Sequence, residues 1–324
     1  MDEFALIQRL QELICGPVNS AGPDCAVGIG DDGAVLDIPR GKQLVVCTDT
    51  LSAGVHFPEN TPAEAIGHKS LAVNLSDLAA MGAEPAWFFM ALTLPAVDVD
   101  WVDAFARGMG RLAARTGIRL AGGDVTSGPL SICVTALGLV DEGGALTRSG
   151  ARPGDLVAVS GATGAAAHAL RELEEGRDPP EASRAALDFP APRVELGRRL
   201  REVATACIDI SDGLLADLGH VLERSAVGAE LLLERLPCPA SLAGLPPAER
   251  WPLQLGGGDD YELCFTLPEA AWERLQPGLT AGPPALTVIG RITSSGRLVV
   301  RDPDGREYRP QHPGYEHFAG SDET

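Results

Sequence analysis

Hydrophobic and polar positions along the chain sort into four helical segments and eight strand-like runs. Asp2 can cap a helix that runs to Ile14 and is stopped by Gly16-Pro17. Thr61-Pro62-Ala63-Glu64 reads as a capping box with proline in the first turn, opening a helix to Met81 that ends at Gly82. Asp98 caps a third helix through Arg115 to Gly117, and a fourth follows Asp212 toward Ser225. The strand candidates are 34–38, 44–48, 131–140, 156–160, 206–210, 261–267, 285–292 and 298–301. A polar, glycine-rich stretch at 147–154 marks a boundary, so the expected domains are 1–148 and 149–324. Residues 176–192 and 237–252 are proline-rich and read as loops. Strands and helices alternate irregularly, which predicts an α+β class with α/β-type alternation in two domains rather than a regular barrel.

Composition narrows the function. The chain has 324 residues, 45% of them apolar, which excludes a disordered polymer. It carries 26 basic against 45 acidic side chains, a net charge of −19, and this argues against nucleic-acid or anionic-membrane partners. Lys42 and Lys69 are the only lysines, which disfavours a lysine-based phosphate cradle. The greasiest stretch, 86–97, contains Pro95 and is shorter than the roughly 20 residues of a membrane span. The acidic start is unlike a signal peptide. The seven cysteines include no C-x-x-C pair, so neither a disulfide framework nor a thiolate zinc site is expected. The expected location is cytoplasmic.

The candidate chemistry lies in the aspartates. They recur where a strand or loop meets glycine or threonine: Gly28-Ile-Gly30-Asp31-Asp32-Gly33, Thr48-Asp49-Thr50, Asn74-Leu-Ser-Asp77 and Gly122-Gly123-Asp124. The second half adds Asp209-Ile-Ser211-Asp212-Gly213 and Gly256-Gly257-Gly258-Asp259-Asp260-Tyr261-Glu262. A carboxylate beside an apolar strand is costly to bury unless paired or metal-bound. Few basic neighbours are at hand, so hard divalent cations are the direct explanation, and Mg²⁺ held by carboxylates plus phosphates fits. Taken singly, each site has a plainer reading: Asp-Gly is a common turn, Asp212 can be a helix cap, and Asn74 with Asp77 can be a solvated helix face.

Familiar nucleotide motifs fail. Gly28-Ile-Gly30-Asp-Asp-Gly33 matches G-x-G-x-x-G literally, but Asp31 and Asp32 would face a pyrophosphate, and residues 24–27 make a poor strand. No P-loop, protein-kinase signature or G-x-S-x-G elbow is present. Arg148 can fork onto a phosphate or be a solvated linker residue. His56 is by default structural. Gly161-Ala-Thr-Gly164 offers either amides for phosphate or a simple turn.

At these residues the chain resembles the thiamine-monophosphate kinase family, in the superfamily of aminoimidazole-ribotide synthetase and selenophosphate synthetase. The resemblance spans nearly the whole length. It runs through the aspartate blocks above and on through Leu146-Thr-Arg-Ser-Gly150, Asp260-Tyr-Glu-Leu-Cys-Phe265 and Gly314-Tyr-Glu-His-Phe318. It implies transfer of the γ-phosphoryl of ATP to thiamine monophosphate. It also implies a two-domain aminoimidazole-ribotide-synthetase-like fold whose N-terminal sheet pairs with that of a second subunit in a homodimer. Carried position by position, Asp32, Thr48, Asp49, Asp77, Asp124, Asp209 and Asp212 match ligands of several Mg²⁺ ions. Gly123, Asp124, Arg148 and Ser211 match ATP contacts, and His56, Asp259 and Tyr315 match substrate contacts. No general base is implied. Three positions depart from the pattern: Cys47 replaces a hydroxyl residue, Gly256 replaces another, and Asp259 replaces Glu. Selenophosphate synthesis is disfavoured, since no reactive Cys or Lys precedes the first glycine-rich loop in the required arrangement. A non-catalytic divalent-cation module would leave Arg148, Ser211 and the Tyr315 tail without a role.

Overall fold

In the computed structural model, residues 3–16, 22, 24–275, 285–312 and 314–315 are described. The chain forms two compact units, Met1–Ala145 with Val194–Arg198, and Leu146–Arg193 with Arg199–Thr324.

The first unit contains α1 (Glu3–Cys15), β1 (Cys25–Val27), β2 (Val35–Leu36), β3 (Lys42–Ser52), α2 (Ala63–Ala80), β4 (Glu84–Leu94), α3 (Val99–Thr116), β5 (Arg119–Ser127) and β6 (Ser131–Asp141). Its four-stranded sheet has the order β3-β6-β4-β5, antiparallel except for the β4–β5 pair that α3 connects. Strand β4 is interior to that sheet. Phe88, Met90, Leu92 and Leu94 are buried while Phe89, Ala91 and Thr93 between them are less so, but apolar residues occupy both faces, and so the strand reads in the sequence only as a greasy stretch. Residues 24–27, a poor strand by composition, form β1 by pairing with β2.

Two helix starts show propensity confirmed and propensity overruled. Asp98 caps α3 as expected, its Oδ1 accepting the N–H groups of Asp100 at 3.0 Å and Trp101 at 3.3 Å, and Gly117 closes the helix at φ 77°. The capping box of α2 does not form: Pro62 occupies the cap position without a side-chain bond, and Glu64 pairs with Arg111 of α3 instead. Helices α2 and α3 touch through glycine. A Cβ on Gly67 would lie 2.0 Å from the Phe105 carbonyl oxygen, and one on Gly108 would lie 1.9 Å from that of Glu64.

The second unit contains β7 (Leu156–Ser160), α4 (Ala165–Glu174), α5 (Glu181–Asp188), α6 (Val194–Leu200, whose start belongs to the first unit), β8 (Ala206–Asp209), α7 (Leu214–Ser225) and β9 (Gly228–Leu232). It continues with α8 (Pro247–Gly256), β10 (Leu263–Leu267), α9 (Glu269–Leu275), β11 (Leu286–Thr293), β12 (Leu298–Arg301) and β13 (Glu307–Tyr308). The seven strands run in the order β13-β12-β9-β11-β7-β10-β8. Leu214, Leu218 and Val221 of α7 pack into the core with Val157, Val159 and Ile208. Both segments expected as loops carry helices. Their prolines start helices rather than break them: Pro180 stands at the cap of α5 and Pro247 at the first position of α8. Among the described residues no helix is long and apolar enough to cross a membrane.

Candidate functional site

Strand β3 alternates, with Val45 and Leu51 buried and Leu44 and Val46 exposed. Asp49 falls on the inner side, toward α2, where it hydrogen-bonds Asp77. Burial pushes the Asp49 carboxyl above its ordinary range, and the bond from Asp77 only partly offsets this. Cys47, two residues earlier, shares that side and donates to the main-chain oxygen of Asn74 at 3.3 Å. Burial, together with Asp77 and Asp49, holds this thiol firmly protonated. Thr48 points the other way, its hydroxyl 2.9 Å from that of Thr135 on β6, so its side chain and that of Asp49 lie on opposite faces.

A cavity of about 560 Å³ in the same unit is lined by Ile7 and Leu10 of α1, the 28–34 loop, Phe89 and Met90 of β4, and residues 120–125. It brings together three of the sequence candidates, Asp32, Gly123 and Asp124. Gly123 is required by close approach, since a Cβ there would stand 2.0 Å from the Met90 carbonyl oxygen. Nearby in sequence, His56 accepts the Ser52 N–H on Nδ1 at 3.1 Å, which places its proton on Nε2. The His56 carbonyl receives Lys69 Nζ at 3.1 Å.

In the second unit the main chain at 210–213 is a hub. The N–H groups of Ser211, Asp212 and Gly213 all reach Oδ2 of Asp217, at 3.0, 3.1 and 3.1 Å. The carbonyls of Ile210, Ser211 and Asp212 accept from the N–H groups of Tyr261, Asp259 and Tyr315, at 2.8, 2.8 and 2.9 Å. Four of the sequence candidates, Ser211, Asp212, Asp259 and Tyr315, therefore sit on one hydrogen-bonded frame, with Asp209 buried at the end of β8 beside it. Asp259 and Tyr261 both take positive φ, 67° and 50°, and the Tyr261 hydroxyl donates to Asp259 Oδ1 at 3.0 Å. Such backbone is costly for a tyrosine and is held by the bonds on either side.

Residue-type reasoning misses Asp217, and it notes Asp260 only within its glycine-rich block, without a role. Asp217 is 3% exposed; burial, with Asp209 and Asp212 adding repulsion, pushes it up to about 7 against the N–H bonds that favour its ion. Asp260 receives the Gly164 N–H on both oxygens at 2.9 Å, and burial pushes its carboxyl well up. Two amides of the 161–164 turn are thereby accounted for, that of Gly164 by Asp260 and that of Gly161 by the Ala285 carbonyl. Glu262 is held by Arg193 and by the Ser160 hydroxyl at 2.5 Å. Arg148 is exposed, its carbonyl accepting from Ser225 Oγ at 3.2 Å.

Among the described residues no three His, Cys, Asp or Glu side chains gather into a metal-holding group. The carboxylates come in small sets, which is how Mg²⁺ is held when substrate phosphates complete its octahedron. Asp49 and Asp77 fit that role: hard oxygen donors, desolvated, and mutually repelling unless a proton or cation lies between them.

Residues 30–140 match the family model described as AIR synthase related protein, N-terminal domain. Over 98% of its length the chain is 42% identical to the thiamine-monophosphate kinase of Escherichia coli (strain K12), covering 98% of that protein. The crystal structure of thiamine-monophosphate kinase from Stenotrophomonas maltophilia K279a is similar at a TM-score of 0.86 and 45% identity, over 95% of this chain and 98% of that one. The structure of AaThiL complexed with AMPPCP and TMP is similar at a TM-score of 0.75 and 31% identity, over 97% of each chain.

Proposed function

The chain belongs to the thiamine-monophosphate kinase family, and on that premise we infer that it transfers the γ-phosphoryl group of ATP to thiamine monophosphate, giving thiamine diphosphate and ADP. The observation that carries this is the likeness, over almost the full length, to a protein solved with AMPPCP and TMP together.

The chemistry asks little of a general base. A phosphate monoester has a second pKa of about 6, so its attacking oxygen is already ionised near neutral pH. The obstacle is charge, since ATP brings roughly four negative charges and the acceptor up to two. Asp49 and Asp77, with Asp32, Thr48, Asp124, Asp209 and Asp212, would hold Mg²⁺ ions, which would supply positive charge against that of the phosphates. The chain's own part is positioning. Gly123 and Asp124 line a cavity wide enough for part of a nucleotide, and Ser211, whose main-chain N–H is held by Asp217, would offer its hydroxyl to ATP. Arg148 has an exposed guanidinium suited to a phosphate. Asp259 sets a carboxylate and Tyr315 an aromatic face toward a cationic thiazolium ring, with His56 as a further acceptor contact. Direct transfer is the expected route: His56 Nδ1 is occupied by a main-chain N–H, and the Ser183–His168 contact at 3.2 Å is buried and involves none of the candidate site residues.

The half-exposed Leu44 and Val46 on the edge strand β3 support a homodimer closed through this sheet. The nucleotide substrate supports a cytoplasmic setting. The test of function is ADP release with thiamine monophosphate, against thiamine and against aminoimidazole precursors; equal release with all three would remove the assignment.

A further inference from the structure

Asp217 lies in the first turn of α7, four residues beyond Gly213, which caps it. An acidic side chain there ordinarily does no more than favour the helix terminus. Here its carboxylate reaches back past the helix start. Of the three N–H groups it collects, those of Ser211 and Asp212 belong to the loop before the helix. The same peptide units point their carbonyls outward, to the N–H groups of Asp259 and Tyr315. Ile210 completes the set, donating to Glu262 and accepting from Tyr261, both at 2.8 Å. The packing leaves no slack: a Cβ on Gly258 would lie 2.5 Å from the Ser211 carbonyl oxygen, and one on Gly314 would lie 2.4 Å from Cβ of Ala216.

We propose that Asp217 is a positioning residue that fixes the 211–213 peptide arc and, through it, the nucleotide side (Ser211, Asp212) and the acceptor side (Asp259, Tyr315) of the reaction at once. This rests on the kinase reading above. The arc is a row of N–H groups curved around a single point, a geometry that elsewhere in proteins receives an anion. In this chain a carboxyl oxygen of the chain itself, Asp217 Oδ2, fills that point. It is buried and cannot leave, so the loop keeps its shape before either substrate arrives. Preorganisation of this kind lowers the ordering cost of binding for every group the loop carries. Loss of the carboxylate therefore loosens both substrates together, a pattern that no single contact residue produces.

The experiment compares wild type with Asp217→Asn, which keeps volume and removes the charge, at protein concentrations corrected for the folded fraction. Michaelis constants for ATP and for thiamine monophosphate are measured separately by ADP release. A rise of at least threefold in both constants supports the proposal. Constants that stay within twofold of wild type, or a rise in only one, overturn it, since a residue that serves only folding lowers the active fraction without moving either constant. Should the variant fail to fold, amide hydrogen exchange on substrate-free wild type decides. Protection of the Ser211, Asp212 and Gly213 amides far above that of exposed loop amides supports a preset arc, and free exchange overturns it. A wild-type protein inactive on thiamine monophosphate would count against the kinase reading, while the exchange measurement would still judge the arc.

Discussion

The carboxylates of Asp49 and Asp77, one on a strand and one on the helix packed over it, hydrogen-bond each other in a half-buried position. Two such groups cannot both ionise there without a cation to share. Turnover should therefore require a divalent cation, and Asp49→Asn or Asp77→Asn should lower kcat by orders of magnitude, corresponding to several kcal/mol of transition-state stabilisation. Undiminished ADP release from EDTA-treated enzyme would remove the cation role of this pair.

Beside that pair, Cys47 carries a thiol that burial and the two aspartates keep protonated. It should resist alkylation although it borders the proposed cation site. Iodoacetamide at mildly alkaline pH should label the exposed Cys238 first and leave Cys47 unmodified, as read by mass spectrometry of the peptides. Labelling of Cys47 as fast as Cys238 would contradict this placement.

Tyr315 anchors its main chain to Asp212 and leaves 51% of its surface exposed. A cation–π contact from this ring is worth about 0.5–2 kcal/mol, so Tyr315→Ala should raise the Michaelis constant for thiamine monophosphate roughly 3- to 30-fold. The constant for ATP should barely move, and Tyr315→Phe should behave as wild type. Packing of the tail through Phe318 falls outside the described residues. If Tyr315→Ala leaves acceptor affinity unchanged, the acceptor site lies elsewhere and Asp259 is the next residue to test.

Stability without divalent cations should fall as pH rises from 6.5 to 8. Burial raises the carboxyls of Asp49, Asp217 and Asp260, so the folded chain keeps protons that the unfolded chain releases near pH 4. Folding is then favoured on the acid side and loses that contribution as pH passes about 7, where Asp217 ionises. His168, lowered by burial, works in the opposite direction, but only below its ordinary value of 6.5. The thermal midpoint should decline over this window, and less steeply in Asp217→Asn. A midpoint that rises from pH 6.5 to 8 would contradict the assignment.

Much of the fold is local enough to be legible. Strands at 156–160 and 298–301 were readable to the residue, as were the Asp98 cap and the Gly117 stop of α3, because neighbouring residues alone decide them. Tertiary contacts decide the failures. Arg111 of α3 removes Glu64 from the capping box, and apolar residues on the less buried face of β4 hide its alternation. In the candidate site the motif aspartates stood out by their glycine neighbours, whereas Asp217 did not. The signal for it was an acidic residue among Leu214, Leu215 and Leu218, which are all buried. A charge on the apolar face of a helix asks which partner it meets, and only the folded loop supplies the answer.

Gly67 and Gly108 bring α2 and α3 together backbone to backbone, so the distance between these helices is not set by any fit of side chains. A single methyl at either glycine pries the α2 axis away and carries Asp77 with it. The register of the Asp77 carboxylate thus rests on two positions that have no side chain at all.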